Sequence, residues 1–216
     1  KNAQDNRIEV NKNAIQSFLN SLTYPLYYFD FETYQQAIPE FNGIRVFQQI
    51  PFQYSLHIEH KDKPLEHKEL LVKQLVSHIP LGAIVLAFNA SFEQSVLKGL
   101  AEQFPKYKDH LQNISNNIVD LAIPFQKKYY YQSEMKGKFS LKIVLPLLVP
   151  EMEKAYDSLD LIHNGGEAMQ AFSVLAEKSN QGEIDRIRES LKRYCELDTL
   201  AMVKILDKLK RLVPYN

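Results

Sequence analysis

Four carboxylates occupy positions where a carboxylate needs an explanation, and together they suggest cation chemistry. The stretch Tyr27 to Tyr34, YYFDFETY, carries Asp30 and Glu32 inside an aromatic run. With YPL upstream and the loop-like AIPEFNG downstream, it reads as a short strand. Side chains alternate along a strand, so Asp30 and Glu32 share one face and Phe29 and Phe31 the other. Two adjacent acids repel unless something positive lies between them. Either this is a solvated strand end, or the pair holds a divalent cation. Far downstream, Ile187, Leu191, Tyr194, Asp198, Ala201, Ile205 and Leu209 recur every three or four residues, which makes one helix face. Asp198 sits in the middle of that apolar stripe, with Tyr194 one turn before it. An acid there needs a basic partner beneath the helix, hydrogen bonds or a metal. Glu93, in FNASFEQSVL, falls in the first turn of another helix. Taken alone, the helix dipole and a Ser91–Gln94 capping box account for it.

These residues need a scaffold that joins distant segments. Residues 1–23 read as an N-terminal extension with a lead-in helix, and 24–216 as one domain. Ile15, Phe18 and Leu19 lie at helical spacing within 13–22. Strands are expected at 26–31, 46–60, 66–72, 83–88 and 118–121. Pro51 marks an edge or a bulge in the second. The run AIVLAF at 83–88, bounded by Pro80, Gly82 and Asn89, reads as a buried central strand. Helices are expected at 92–100, 139–148, 166–178 and 183–212, with a short turn at 74–78. Hairpin-joined strands first and crossover strands after predict an α/β fold: a mixed sheet of about five strands flanked by helices.

Composition narrows the function. A chain of 216 residues fits one domain, and 45% hydrophobic residues is ordinary for a globular protein. Lys+Arg and Asp+Glu are both 26. That argues against a polyanion binder driven by global charge and leaves room for a local basic patch. The single cysteine, Cys195, excludes an internal disulfide framework and a Cys-rich zinc site. It is compatible with a reducing compartment, and the cytoplasm is the expected location. No apolar run reaches membrane-spanning length and no signal peptide is visible, so no membrane partner is expected. The chain opens on Lys1, and it is expected to be the C-terminal part of a longer protein.

In chain order, FDFET (Asp30, Glu32), FNASFE (Asn89, Phe92, Glu93) and YCELD (Tyr194, Asp198) resemble the three motifs of the DnaQ-like DEDD exonucleases, tyrosine subgroup. More closely, YPLYYFDFET, IPFQYSLH, GKFSLKIVLPLLVP and YCELDTLAMV resemble an uncharacterised bacterial family of predicted DnaQ-like nucleases. Its members often carry another nuclease-like region upstream in the same chain. The resemblance covers about residues 24–212 and implies an RNase H-like fold. It also implies a metal-dependent 3′–5′ exonuclease acting on DNA or RNA by a two-metal mechanism. Asp30, Glu32, Glu93 and Asp198 would hold two Mg²⁺ or Mn²⁺ ions, which favour hard oxygen ligands. Tyr194 would orient the attacking water; a phenol of pKa about 10 is a poor base. Thr33, Asn89 and Phe92 would lie beside the substrate, a single-stranded nucleic acid or its 3′ end. The sequence departs from the family once. Its second-motif Asp is here Glu93, one methylene longer, with Asp120 the alternative ligand or else a strand end flanking the cleft. The alternative function is a catalytically degenerate nucleic-acid or protein interaction module on the same fold.

For the substrate, the segment QKKYYYQSEMKGK at 126–138 offers Lys127, Lys128, Lys136 and Lys138 beside Tyr129, Tyr130 and Tyr131. Basic groups among rings suit a single strand, charge following phosphates and rings stacking on bases. The other reading places the tyrosines in the core and the lysines on a solvated loop. His57 and His60 fall on opposite strand faces, which argues against a shared metal.

Overall fold

The computed structural model describes residues 7–38, 45–61, 66–69 and 72–214. From the N-terminus, β1 (Ile8–Val10) and α1 (Lys12–Asn20) lead into β2 (Leu26–Tyr34), β3 (Ile50–Glu59) and β4 (Glu66–Glu69). There follow α2 (Val72–His78), β5 (Ile84–Ala87), α3 (Ser91–Gln103), α4 (Lys108–Asn116) and β6 (Ile118–Asp120). The chain ends with α5 (Ile123–Gln126), β7 (Tyr130–Gln132), α6 (Leu141–Leu148), α7 (Gly165–Ser173) and α8 (Gln181–Arg211).

The main sheet has five strands in the order β4-β3-β2-β5-β6. β2 pairs antiparallel with β3 and parallel with β5, β3 pairs antiparallel with β4, and β5 pairs parallel with β6. Only β3 runs against the rest, giving the expected mixed sheet of an α/β fold. Hairpins need short links, so the antiparallel strands come first; the parallel ones need helical crossovers, and these follow. Pro51 does mark a bulge. The β2–β3 register slips between Glu32 and Thr33, where Thr33 faces Pro51.

β2 divides the core. Its aromatic residues favour the pleated backbone, and alternation sends Tyr27, Phe29 and Phe31 to one side and Leu26 and Tyr28 to the other. The first set packs with Leu75 of α2, Val96, Leu97 and Leu100 of α3, and Leu111 and Ile114 of α4. The second packs with α1, α6 and the α8 residues Ala201, Ile205 and Leu209. Asp30 and Glu32 continue the second face, so they are turned toward α8.

Helix α8 is fixed against the sheet at three levels. Thr199 Oγ1 hydrogen-bonds Ser55 Oγ and His57 Nδ1, both at 2.7 Å, beneath the helix. Gln53 Nε2 donates to the Leu191 carbonyl at 3.4 Å. Near the C-terminal end, Lys210 Nζ reaches Glu59 Oε1 at 2.7 Å, and Glu59 also accepts from Tyr24 and Tyr28. The helix therefore has one rotational setting, and Asp198 one direction.

Several elements differ from the sequence expectation. Residues 8–10, expected as part of a polar extension, form β1 and pair with β7 in a separate two-stranded sheet. Helices α4 and α5 were not anticipated either. The second strand begins at Ile50, because 46–47 form a turn in which Phe47 has φ +54°. The helix expected to run from 166 to 178 ends at Ser173, followed by a 3₁₀ turn at Leu175–Glu177. Of the strand expected at 66–72, residues 70–71 lie outside the described residues, and Val72 opens α2.

Candidate active site

Asp30 and Glu32 of β2 and Asp198 of α8 meet on the α8 side of the sheet, while Glu93, in the first turn of α3, lines neither hollow there but is near enough for its charge to act on Asp30. Glu32 is 6% exposed, Asp198 7% and Glu93 2%, while Asp30 is partly open. Such burial excludes the solvated strand end. Asp30, Tyr194, Asp198 and Gly165 line two adjoining hollows. One, about 360 Å³, also has Glu32, Thr33, Gln49 and Phe92 in its walls. The other, about 670 Å³, is completed by Phe88, Asn89, Phe139, Lys142 and Met202. The larger groove between α3 and α4, about 880 Å³, holds none of the acids.

Burial destabilises the charged forms of all four acids, and neighbouring acids add to it at Asp30 and Glu32. Burial, then repulsion from Asp198, Glu32 and Glu93, raises Asp30 well above the usual carboxylate range. Glu32 is pushed up to about 8 by burial and by Asp198, with Lys142 opposing. Burial and the charge of Asp120 lift Glu93 to about 8, against a hydrogen bond from its own backbone. Asp198 rises from 3.8 to about 6 through burial, held back by hydrogen bonds from Tyr156 and Tyr194 and by the charge of Lys142. One oxygen, Glu93 Oε2, is buried with no hydrogen-bond partner. Leaving a buried carboxylate oxygen unsatisfied costs about 1–3 kcal/mol or more. Hard oxygen donors that repel one another, one of them orphaned, fit a divalent cation.

The structural alternatives for these acids are realised only in part: Glu93 does lie in the first turn of α3 and Asp198 is hydrogen-bonded. Ser91 Oγ donates to Asn89 Oδ1 and Gln94 Nε2 to the Ser115 carbonyl, so the Ser91–Gln94 capping box does not form. Among the described residues Asp198 forms no ion pair beneath α8. It accepts hydrogen bonds from two tyrosines and feels Lys142 across the site. Asp120 acts at the strand end. Its Oδ1 accepts from the backbone N–H of Asn89 at 3.0 Å and of Ala122 at 2.9 Å, which holds Asn89 at φ +74° where α3 begins.

The structure brings Thr33, Asn89 and Phe92 to the hollows. The segment 126–138 is a correction. Tyr130 is 4% exposed, packs against Phe125 and accepts from Gln132 Nε2 at 2.6 Å, so its ring is core and cannot stack on a base. Lys128 belongs to a separate hollow with residues 9–13, its amine 5.4 Å from the Tyr131 ring, and neither it nor Lys127 lines the acid site. The run of tyrosines is there because β7 must pair with β1 and cover the core.

Two site residues escaped the sequence reading. Lys142 Nζ lies 4.7 Å from the Tyr156 ring centre and 4.9 Å from that of Tyr194, and donates to the His163 carbonyl at 2.5 Å. Tyr156 donates a short hydrogen bond to Asp198. The lysine left a signal, a single cation opening the otherwise apolar helix LKIVLPLL. Tyr156 left none, since it sits among 3₁₀ and turn residues without periodicity.

Among curated proteins, the chain is 28% identical to uncharacterized protein MG366 of Mycoplasma genitalium and 25% identical to uncharacterized protein UU173 of Ureaplasma parvum. The alignments take in 94% and 97% of this chain but only 35% and 34% of those proteins. The chain thus spans about a third of the length of the curated relatives it matches. No solved structure matches it. Residues 27–140, more than half of the chain and including Asp30, Glu32 and Glu93, match the profile described as domain of unknown function DUF2779, and the chain belongs to that family.

Proposed function

We propose that this domain is a divalent-cation-dependent nuclease that hydrolyses phosphodiester bonds of single-stranded nucleic acid. The observation carrying this reading is that Asp30, Glu32 and Asp198, from distant segments, line two adjoining hollows, with the buried Glu93, one of whose oxygens lacks a partner, acting on Asp30. Bound Mg²⁺ or Mn²⁺ would supply Lewis-acid stabilisation of phosphoryl oxygens. The four acids would hold the ions. Burial and the adjacent Asp198 raise the Tyr194 and Tyr156 hydroxyls, so both stay protonated and act as donors. Tyr194 can then orient a water or a phosphate oxygen but not take a proton. Lys142 brings a positive charge to the wall of the larger hollow, where a phosphate would enter. The 3′–5′ polarity rests on the motif resemblance, as does an upstream nuclease-like region. Among the described residues no helix is long and apolar enough to cross a membrane.

The test is 5′-labelled single-stranded DNA and RNA incubated with Mn²⁺ or Mg²⁺. A ladder of products shortened from the 3′ end is expected, and EDTA should abolish it. Tight cation binding without turnover would instead favour a non-catalytic binding module.

Two substitutions probe the roles. Glu93→Gln removes a buried carboxylate one of whose oxygens lacks a hydrogen-bond partner. It should raise the melting temperature of the cation-free protein and weaken cation binding by about ten-fold or more. Glu93→Asp should weaken binding less, through shortened reach alone. Unchanged cation affinity in Glu93→Gln, measured by calorimetry, would move the fourth ligand elsewhere, with Asp120 next to test. Lys142→Gln should separate binding from turnover. Removing a positive charge that faces Asp198 and Glu32 should tighten cation binding by about ten-fold, equivalent to about 1.4 kcal/mol. Turnover should nevertheless fall, because the substrate's phosphate loses its countercharge. Calorimetry beside the gel assay checks both directions.

A further inference from the structure

The only cysteine in the chain lies inside the acid site. Cys195 is fully buried, and its Sγ lies with one carboxylate oxygen each of Asp30 and Glu32 in a triad whose atoms are all within 4.8 Å of one another. Donors on one ion are separated by at most the sum of two bond lengths, about 2 Å for oxygen and about 2.3 Å for sulfur on zinc. A separation of 4.8 Å or less is thus close to what a shared cation requires, and little closing movement is needed. The position follows from the helix. Cys195 precedes Asp198 by three residues, so both point toward β2 from neighbouring turns of α8. A second observation points to a ligand beside the triad. Glu93 Oε2 is buried, has no hydrogen-bond partner, and belongs to a carboxylate whose charge reaches Asp30.

We infer that Cys195 is a metal ligand, and that with Asp30 and Glu32 it makes a mixed sulfur–oxygen site that takes a thiophilic divalent cation in preference to Mg²⁺. The inference rests on the cation-binding reading of the acids and adds to it the class of ion. Oxygen ligands alone do not discriminate strongly among Mg²⁺, Mn²⁺ and Zn²⁺, whereas a thiolate favours the softer ions. On coordination the thiol gives its proton to solvent and the sulfur lone pair forms the bond to the metal, with no change of oxidation state. A thiolate also shifts charge toward the cluster, so the site should prefer an ion that forms partly covalent bonds. Among the first-row divalent ions that order runs upward from Mn²⁺.

Cadmium is the probe, because its bond to a thiolate produces an ultraviolet charge-transfer band that no carboxylate gives. With one cysteine in the chain, any such band belongs to Cys195. Titration of the whole chain with Cd²⁺ should produce a band saturating at a stoichiometric amount of metal. Cys195→Ser should lack the band and bind Cd²⁺ at least about ten-fold more weakly, with Mg²⁺ affinity changed far less. Asp30→Asn keeps the thiol and should also weaken the band, tying it to the acids. Circular dichroism of each variant establishes that it is folded, and Cys195→Ala serves if the serine variant is not. Two failures are distinguishable. No band in the wild type, or unchanged Cd²⁺ affinity in Cys195→Ser, with normal Mg²⁺ and Mn²⁺ binding, overturns the thiol ligand and leaves the acid site standing. No binding of any of the three ions overturns both.

Discussion

Asp30→Asn is expected to abolish cation-dependent hydrolysis while making the cation-free protein more stable. Asp30 lines both hollows and is the acid whose charge meets those of Asp198, Glu32 and Glu93 together. Replacing it removes a ligand and part of the repulsion in one step. Lewis-acid stabilisation is worth several kcal/mol, so losing it should lower the rate by roughly a thousand-fold or more. The shape of the side chain is kept, and its charge was unfavourable in the fold, so nothing in the packing is lost. A structural acid would behave in the opposite way: its amide would destabilise the protein and leave turnover alone. Gel assays under Mn²⁺ with purified variants, beside thermal melts in EDTA, separate the two. Wild-type rates in Asp30→Asn, with contaminating nuclease excluded, would remove Asp30 from the site.

How far the site could be read from sequence depended on whether each residue's neighbours were local. The alternation along YYFDFETY is local, and it assigned Asp30 and Glu32 to one face and Phe29 and Phe31 to the other, as the two core clusters bear out. The stripe from Ile187 to Leu209 is equally local, and it placed Asp198 in a buried seam. The mixed sheet followed from which connections were short and which carried helices; the order of its strands did not. What escaped was set by contacts across long stretches of chain. β1 is three residues long and has no period to detect; it exists because Tyr130–Gln132 offers it a partner. The tyrosines of 126–138 read equally well as stacking platform or core, since composition does not say which way a ring points. Burial decided it for Tyr130. Lys142 and Tyr156 join the site only because α6 and the segment after it fold back over α8, so that Lys142 lies between the rings of Tyr156 and Tyr194. Glu93 was the reverse case. Its local explanation had two parts: the helix-start position is realised, but the Ser91–Gln94 capping box is not, and the start of a helix does not explain an oxygen buried without a partner.

The cation-free protein is expected to lose stability as pH rises from about 4.5 to about 8, and bound cation should reverse that trend. Glu32 and Glu93 have an ordinary value of 4.5 in the unfolded chain and are lifted to about 8 in the fold, mainly by burial. Across that interval the folded protein holds protons that the unfolded chain has released, so stability falls with pH. Asp198, lifted from 3.8 to about 6, adds to the lower part of the same interval. Below about pH 3.8 the contribution no longer changes; above about 8 the full penalty of like charges is present. Because the groups interact, the total is smaller than the sum of separate shifts, on the order of a few kcal/mol. Divalent cations bind the ionised acids and not the protonated ones. Saturation at a hundred times the dissociation constant adds about 2.7 kcal/mol to the folded state. The gain in melting temperature on adding Mn²⁺ should therefore be large at pH 8 and small at pH 5. Melts across this range, in EDTA and in Mn²⁺, read both trends, and Glu93→Gln should flatten the EDTA slope, which locates it at this site. A melting temperature that holds or rises from pH 5 to 8 in EDTA would mean that the four acids are balanced by protein charges alone, leaving no deficit for a cation to fill.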